Sequence, residues 1–218
     1  MKSPEINDSD GIENRKKKLA SLFESGLDSE DCIGYHGTSL EALEYMIEHG
    51  YLPGNSDQDK INAIHFYPLR SAFKDVHSNT PLEENVVKEA AGYASDISGE
   101  HYFLKKLNIP FDNEETRLKS RYLVIGCPND PSDPNAEYNY FLKMGVDKRA
   151  LDEALFEARK RKGVVLSFNN EIVKSFKIMP GDPGDLKIIT PNGLSLDYIS
   201  GIEPMGQKEW DYLEKLQK

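Results

Sequence analysis

The tightest constraint on the fold lies in the last quarter of the chain. There, four short apolar runs follow one another: Gly163 to Phe168, Ile172 to Ile178, Leu186 to Thr190 and Tyr198 to Glu203. The turn-rich links between them, such as Pro-Gly-Asp-Pro-Gly and Pro-Asn-Gly, are of hairpin length. Parallel strands need crossovers of a dozen or more residues, so links this short call for antiparallel pairing. Upstream the pattern changes to helical. Residues 82–96 carry Val86, Val87, Ala90, Ala91 and Tyr93 on one side, and residues 148–162 carry Leu151, Leu155 and Ala158. A last amphipathic stretch holds Trp210, Leu213 and Leu216. Further short strands are expected at Cys32–Tyr35, Ala63–Tyr67 and Tyr122–Cys127, and a loop from Ile109 to Thr116. Helices early and strands late predict an α+β domain built on a mostly antiparallel sheet with flanking helices. Residues 1–30 are polar and read as a tail or short helix in which Leu19, Leu22 and Phe23 could dock; residues 31–218 read as the domain.

Charge and cysteine usage narrow the function classes. The 218 residues contain 27 Lys+Arg against 37 Asp+Glu, a formal net charge of −10. Broad neutralisation of nucleic-acid phosphates needs clustered cations, so this balance disfavours it while leaving room for a local basic pocket. Cys32 and Cys127, two thiols beside apolar residues, read as small buried groups and supply neither a disulfide framework nor a four-cysteine zinc site. No apolar run reaches the ~18–20 residues of a membrane span, and the N-terminus lacks the apolar core of a secretory signal. A cytoplasmic setting without membrane partners is therefore expected, short of export by a system that reads no such signal.

The chemistry-bearing residues begin at Tyr35-His36-Gly37-Thr38, where a strand gives way to a helix running from Ser39 to about His49. A glycine at such a junction lets a ligand approach the backbone, and the helix start offers free N–H groups. The histidine and the hydroxyl beside it can bond a ribose or an amide. The plainer reading makes Thr38 and Glu41 a capping box, Gly50 the helix stop, and His36 a packed residue.

The stretch YHGTSLEALEYMIEHGYLPG resembles the first motif of the ADP-ribosyltransferase superfamily, in which a strand ending His-Gly-Thr precedes a helix and a glycine turn. The resemblance extends loosely over residues 32–205. It implies a split, mostly antiparallel sheet with NAD bound in its cleft as a substrate. His36, Gly37 and Thr38 would hold a ribose and the nicotinamide amide. Ala63-Ile64-His65-Phe66-Tyr67 falls where the family places a strand with an aromatic residue, so His65 or Tyr67 would stack on nicotinamide. Glu89 to Ala94 resembles a family helix with an Ala/Tyr pair, although the helical apolar neighbours of Tyr93 favour reading it as core. The third motif should bring a glutamate near the start of a late strand. At that place Lys187 stands on the expected position and Asp185 two residues before it. Asp185 is the first candidate for the catalytic carboxylate, with a turn residue as its plain reading, and Glu203 is the second.

The resemblance thus implies mono-ADP-ribosyl transfer from NAD to a macromolecular acceptor, a protein in the first instance. Arg70 or Lys74 could meet the pyrophosphate. The alternatives are an RNA 2′-phosphotransferase-like enzyme, prompted by His-Phe-Tyr-Pro and disfavoured by the acidity, and a degenerate domain of the same fold that binds a partner without chemistry. The five histidines show no metal-ligand spacing, and no phosphate-binding loop or nucleophile elbow is present. The Arg159-Lys160-Arg161-Lys162 run reads as a helix end complementing the helix dipole.

Overall fold

A computed structural model describes the chain except residues 1–8, 28, 57–61, 70, 74–82, 112 and 182–183. Its elements, in order, are α1 (Ser9–Ser25), β1 (Cys32–Thr38), α2 (Leu40–His49), β2 (Tyr51–Leu52), β3 (Asn55–Ser56), β4 (Asn62–Pro68), α3 (Glu83–Lys106), α4 (Glu114–Ile125), α5 (Ala136–Lys143) and α6 (Lys148–Ala158). They continue with β5 (Val164–Asn169), α7 (Glu171–Ser175), β6 (Ile178–Pro180), β7 (Leu186–Ile189), β8 (Leu194–Ser195), a 3₁₀ turn at Leu196–Tyr198, β9 (Ile199–Pro204) and α8 (Gln207–Leu216). The mixed architecture agrees with the α+β expectation.

The main sheet runs β6-β7-β4-β1-β5-β9, with β3 hydrogen-bonded to β4, and every recorded pairing is antiparallel. One of its faces carries the largest apolar cluster, in which Phe66, Leu166, Phe168 and Ile188 meet Leu43 and Met46 of α2, Leu19 of α1 and Leu213 of α8. Each such fully buried side chain contributes about 1.5–3 kcal/mol of transfer free energy. On the other face, α3 lies along β1, with Ala90 packed against Val165 and Leu27. Beyond the sheet, the end of α3 joins α4, α5 and α6 in a separate helical cluster around Phe103, Phe141 and Leu151.

The strands β1 and β4 are paired at one end alone, through Gly34↔Pro68 and Tyr35↔Tyr67. Past Tyr35, β1 continues along β5 as far as Thr38↔Val164, while β4 continues along β7 as far as Ala63↔Ile189. The middle of the sheet therefore forks, and the fork opens at His36.

Several expectations are corrected. Tyr122–Cys127 is the end of helix α4 and its exit, with Gly126 as a left-handed C-cap at φ 73°. The supposed loop at 109–116 already contains the start of that helix, where the Asn113 side chain accepts from the Thr116 N–H. Ile172–Ile178 contains the short helix α7, and the strand begins at Ile178 itself. Ser39, and not Thr38, caps α2 by accepting from the Ala42 N–H, whereas Gly50 stops the helix in the left-handed region as expected (φ 87°). Cys127 is exposed and Cys32 half-buried, so neither is a fully buried thiol. The polar N-terminal stretch includes a 17-residue helix that packs on β9 and α8, with Leu19 wholly buried and Phe23 edge-on to Trp210 at 5.0 Å. Arg159 does complement a helix end, but a neighbour's: its guanidinium donates to the carbonyls of Leu123 and Val124, both at 3.1 Å, at the end of α4.

Candidate functional site

The fork between β1 and β4 collects the sequence-selected residues. His36 sits in its throat, and its Nδ1 lies 2.6 Å from the backbone carbonyl oxygen of His65 across the gap. A carbonyl can only accept, so Nδ1 is the donor and Nε2 is left with its lone pair. The ring stacks on Phe168 at 5.8 Å and tilts against Tyr93 at 6.5 Å. Burial among these groups pushes the His36 pKa down to about 4, which outweighs the opposing effect of the bond to the His65 carbonyl. At neutral pH His36 is therefore an uncharged ring whose free nitrogen accepts.

A cavity of about 60 Å³ lies beside it, lined by His36, Gly37, Thr38, His65, Tyr93 and His101 among others. That volume holds one or two waters. Gly37 is required here for packing: a Cβ on it would stand 2.6 Å from the Ala94 backbone nitrogen and press still harder on the Ala90 carbonyl. The glycine thus lets α3 close onto β1. Thr38 is buried and is one of the residues that line the cavity.

His65 lies on β4 in register with Lys187 of β7. Its Nδ1 is 2.8 Å from Oδ2 of Asp185, a contact that spans 120 residues of sequence. The Asp185 side chain is 11% exposed and that of His65 26%. The second carboxylate oxygen, Oδ1, is buried without a hydrogen-bond partner among the described residues and lies against Gly181. Tyr67, two residues beyond His65 on the same strand, packs with Tyr35 and α3. Burial, reinforced by the negative charge of Asp185, raises its phenol to about 12, so it stays protonated.

The structure therefore brings His36, Gly37, Thr38, His65, Tyr67 and Asp185 to one fork. It leaves Glu203 elsewhere: that residue is exposed on the outermost strand β9, in register with Val165. Arg70 and Lys74 lie outside the described residues. Two neighbours, Ile97 and His101, were missed as members of the cavity wall. With Tyr93 they follow one another at four-residue intervals on α3, and all three line it. Their i, i+4, i+8 spacing was the available signal. His101 Nδ1 is 2.7 Å from Ser39 Oγ, and burial lowers its pKa to about 4 as well. Among the described residues no group of three or more His, Cys, Asp or Glu side chains could hold a metal ion, and no helix is long and apolar enough to cross a membrane. Comparison of the chain with protein-family models, curated proteins and solved structures found no match.

Proposed function

We propose that the chain is an ADP-ribosyltransferase-like enzyme that binds NAD in the fork and transfers a single ADP-ribosyl group to a macromolecular acceptor, a protein. The observation that carries this reading is the convergence of three separate motif positions: His36 reaches the backbone of His65, and His65 reaches Asp185. In the superfamily that the first motif resembles, the corresponding three positions hold and cleave NAD.

Each residue has chemistry suited to its part. The free Nε2 of neutral His36 would accept from a ribose hydroxyl. The backbone of Gly37 and the Thr38 hydroxyl would meet the carboxamide of nicotinamide. The ring of Tyr67 would offer a face for the cationic pyridinium, which leaves the His65 ring for the acceptor side. The Asp185 carboxylate, through the His65 ring it holds, would keep negative charge near the ribosyl carbon as it becomes cationic and nicotinamide departs. Lys187 stands where a polymerase-like glutamate was expected, and the lack of that glutamate favours one transfer over chain growth.

Calorimetric titration of the full chain with NAD tests the reading. Saturable binding is expected, and replacing His36 with Ala should weaken it roughly tenfold, in line with one lost hydrogen bond of about 1–1.5 kcal/mol. Absence of heat at millimolar NAD would end the proposal. Conversion of a 2′-phosphorylated oligonucleotide in the presence of NAD would redirect it to the RNA 2′-phosphotransferase-like alternative.

A further inference from the structure

We infer that His65 is the general base of this site and that Asp185 is the positioning residue that makes it one. The inference rests on the NAD-cleaving reading above and assigns within it the group that takes the acceptor's proton.

The hydrogen-bond chemistry fixes the tautomer. An ionised carboxylate only accepts, so the 2.8 Å contact places the proton on Nδ1 of His65. Nε2 then presents a lone pair, and it has no hydrogen-bond partner among the described residues. A carboxylate that holds an imidazole in one orientation and stabilises the imidazolium formed on proton uptake is the arrangement by which buried Asp residues support histidine bases.

Accessibility separates His65 from the other two cavity histidines. His36 is tied through Nδ1 to a carbonyl, and His101 is tied to Ser39. Neither has a carboxylate partner, and burial holds both near pKa 4, where an imidazole is too weak a base. His65 alone of the three combines an anionic partner with a ring open to solvent.

The charged and titratable groups around His65 are few. From β7 come Asp185 and Lys187, the latter its cross-strand neighbour. Tyr67 lies on its own strand, His36 approaches from β1, and Tyr93 and His101 stand across the cavity on α3. At neutral pH the two other histidines and both phenols are uncharged, and among the described residues Asp185 is the anion bonded to His65.

The step balances as follows. The acceptor's O–H or N–H group, or water in its place, forms a bond to C1′ of the ribose. The bond from C1′ to the nicotinamide nitrogen breaks, and its electron pair leaves with nicotinamide, which becomes neutral. The acceptor's proton passes to Nε2 of His65 and from there to solvent.

Water serves as acceptor in the test, so no protein substrate is needed. The full chain is incubated with NAD between pH 5 and 9, and released nicotinamide is quantified. For the unaltered chain the rate should fall on the acid side of a single apparent pKa. His65→Ala should lower it at least 100-fold while calorimetry still shows NAD bound, and added imidazole should restore part of it. Asp185→Asn should keep KM for NAD within about threefold while kcat falls tenfold or more. Nicotinamide release by His65→Ala at the original rate, or an unchanged kcat in Asp185→Asn, would overturn this inference and leave the NAD-cleaving reading intact. A chain that binds no NAD, or binds it and releases no nicotinamide, would overturn both.

Discussion

Gly37 shows how a single residue can carry a packing role that its local sequence does not announce. Its position at a strand-to-helix junction marked it as a place where a ligand approaches the backbone, and the structure adds that α3 approaches it, through Ala90 and Ala94. Nothing within the local sequence announces a helix that begins some 45 residues later. Gly37→Ala is expected to destabilise the fold by about 1–3 kcal/mol, the usual cost of forcing extra volume into a packed interface. Chemical denaturation followed by circular dichroism checks it, and an unchanged midpoint would show that α3 can step back freely. Thr38 and Ser39 make a related point. Both can cap a helix, and sequence offered no way to choose; the structure gives the cap to Ser39 and ties its hydroxyl to His101. Asp185 was the reverse case. Its place two residues before Lys187 implied a shared strand face, and the pairing of β7 with β4 delivers it to His65.

At the scale of elements, errors fell where apolar runs are short. Tyr122-Leu123-Val124-Ile125 is as good a strand as a helix by content, because four consecutive apolar residues do not reveal a period. The deciding signals stood on either side: Asn113 with Glu114 and Glu115 at the start, Gly126 at the end. Only Val124 of that run is fully buried, while Ile125 lies exposed, as on a helix with one inward face. Residues 171–175 misled in the same way. The elements with long, clear periods or firm breakers, α2, α6, β5 and α8, were legible. What fastens α4 to α3 was not, because it is a charge cluster formed across two helices. Glu100, wholly buried on α3, accepts from Arg117 Nε at 3.1 Å and from Arg121 Nε at 2.7 Å. Glu100→Gln removes the one anion these two partly exposed guanidinium groups share. A loss of about 2–4 kcal/mol is expected, near the lower part of the range for breaking a buried pair because the arginines retain some solvent. Thermal melting of the variant measures it, and a shift below 2 °C would contradict the assignment.

For the molecule as a whole, the buried histidines set the response to acid. His36 and His101 have pKa values near 4 in the folded state against 6.5 when exposed. Between these limits the unfolded chain binds more protons than the folded one, so stability rises with pH from about 4 to 6.5 and is fully present above that window. Acidifying from neutral through pH 4 should remove on the order of 2–3 kcal/mol per histidine. Urea midpoints at pH 7 and pH 4.5 test this, and the double variant His36→Gln with His101→Gln should flatten the difference. An equal midpoint at both pH values in the unaltered chain would refute it.

The outermost strands of the sheet have a bearing on how the molecule behaves in a crowd. An unpaired strand border is a template on which another chain can add itself, and proteins that stay apart keep such borders short or covered. β9 is packed against α1 and α8, and the carbonyl of Gly26, just past the end of α1, lies directly against Gly201 at its middle. At the opposite side β6 is three residues long and ends on Pro180, which has no N–H to offer. The N-terminal helix, the least sheet-like part of the sequence, thereby acts as a seam cover: it withholds from other copies the one strand long enough to recruit them.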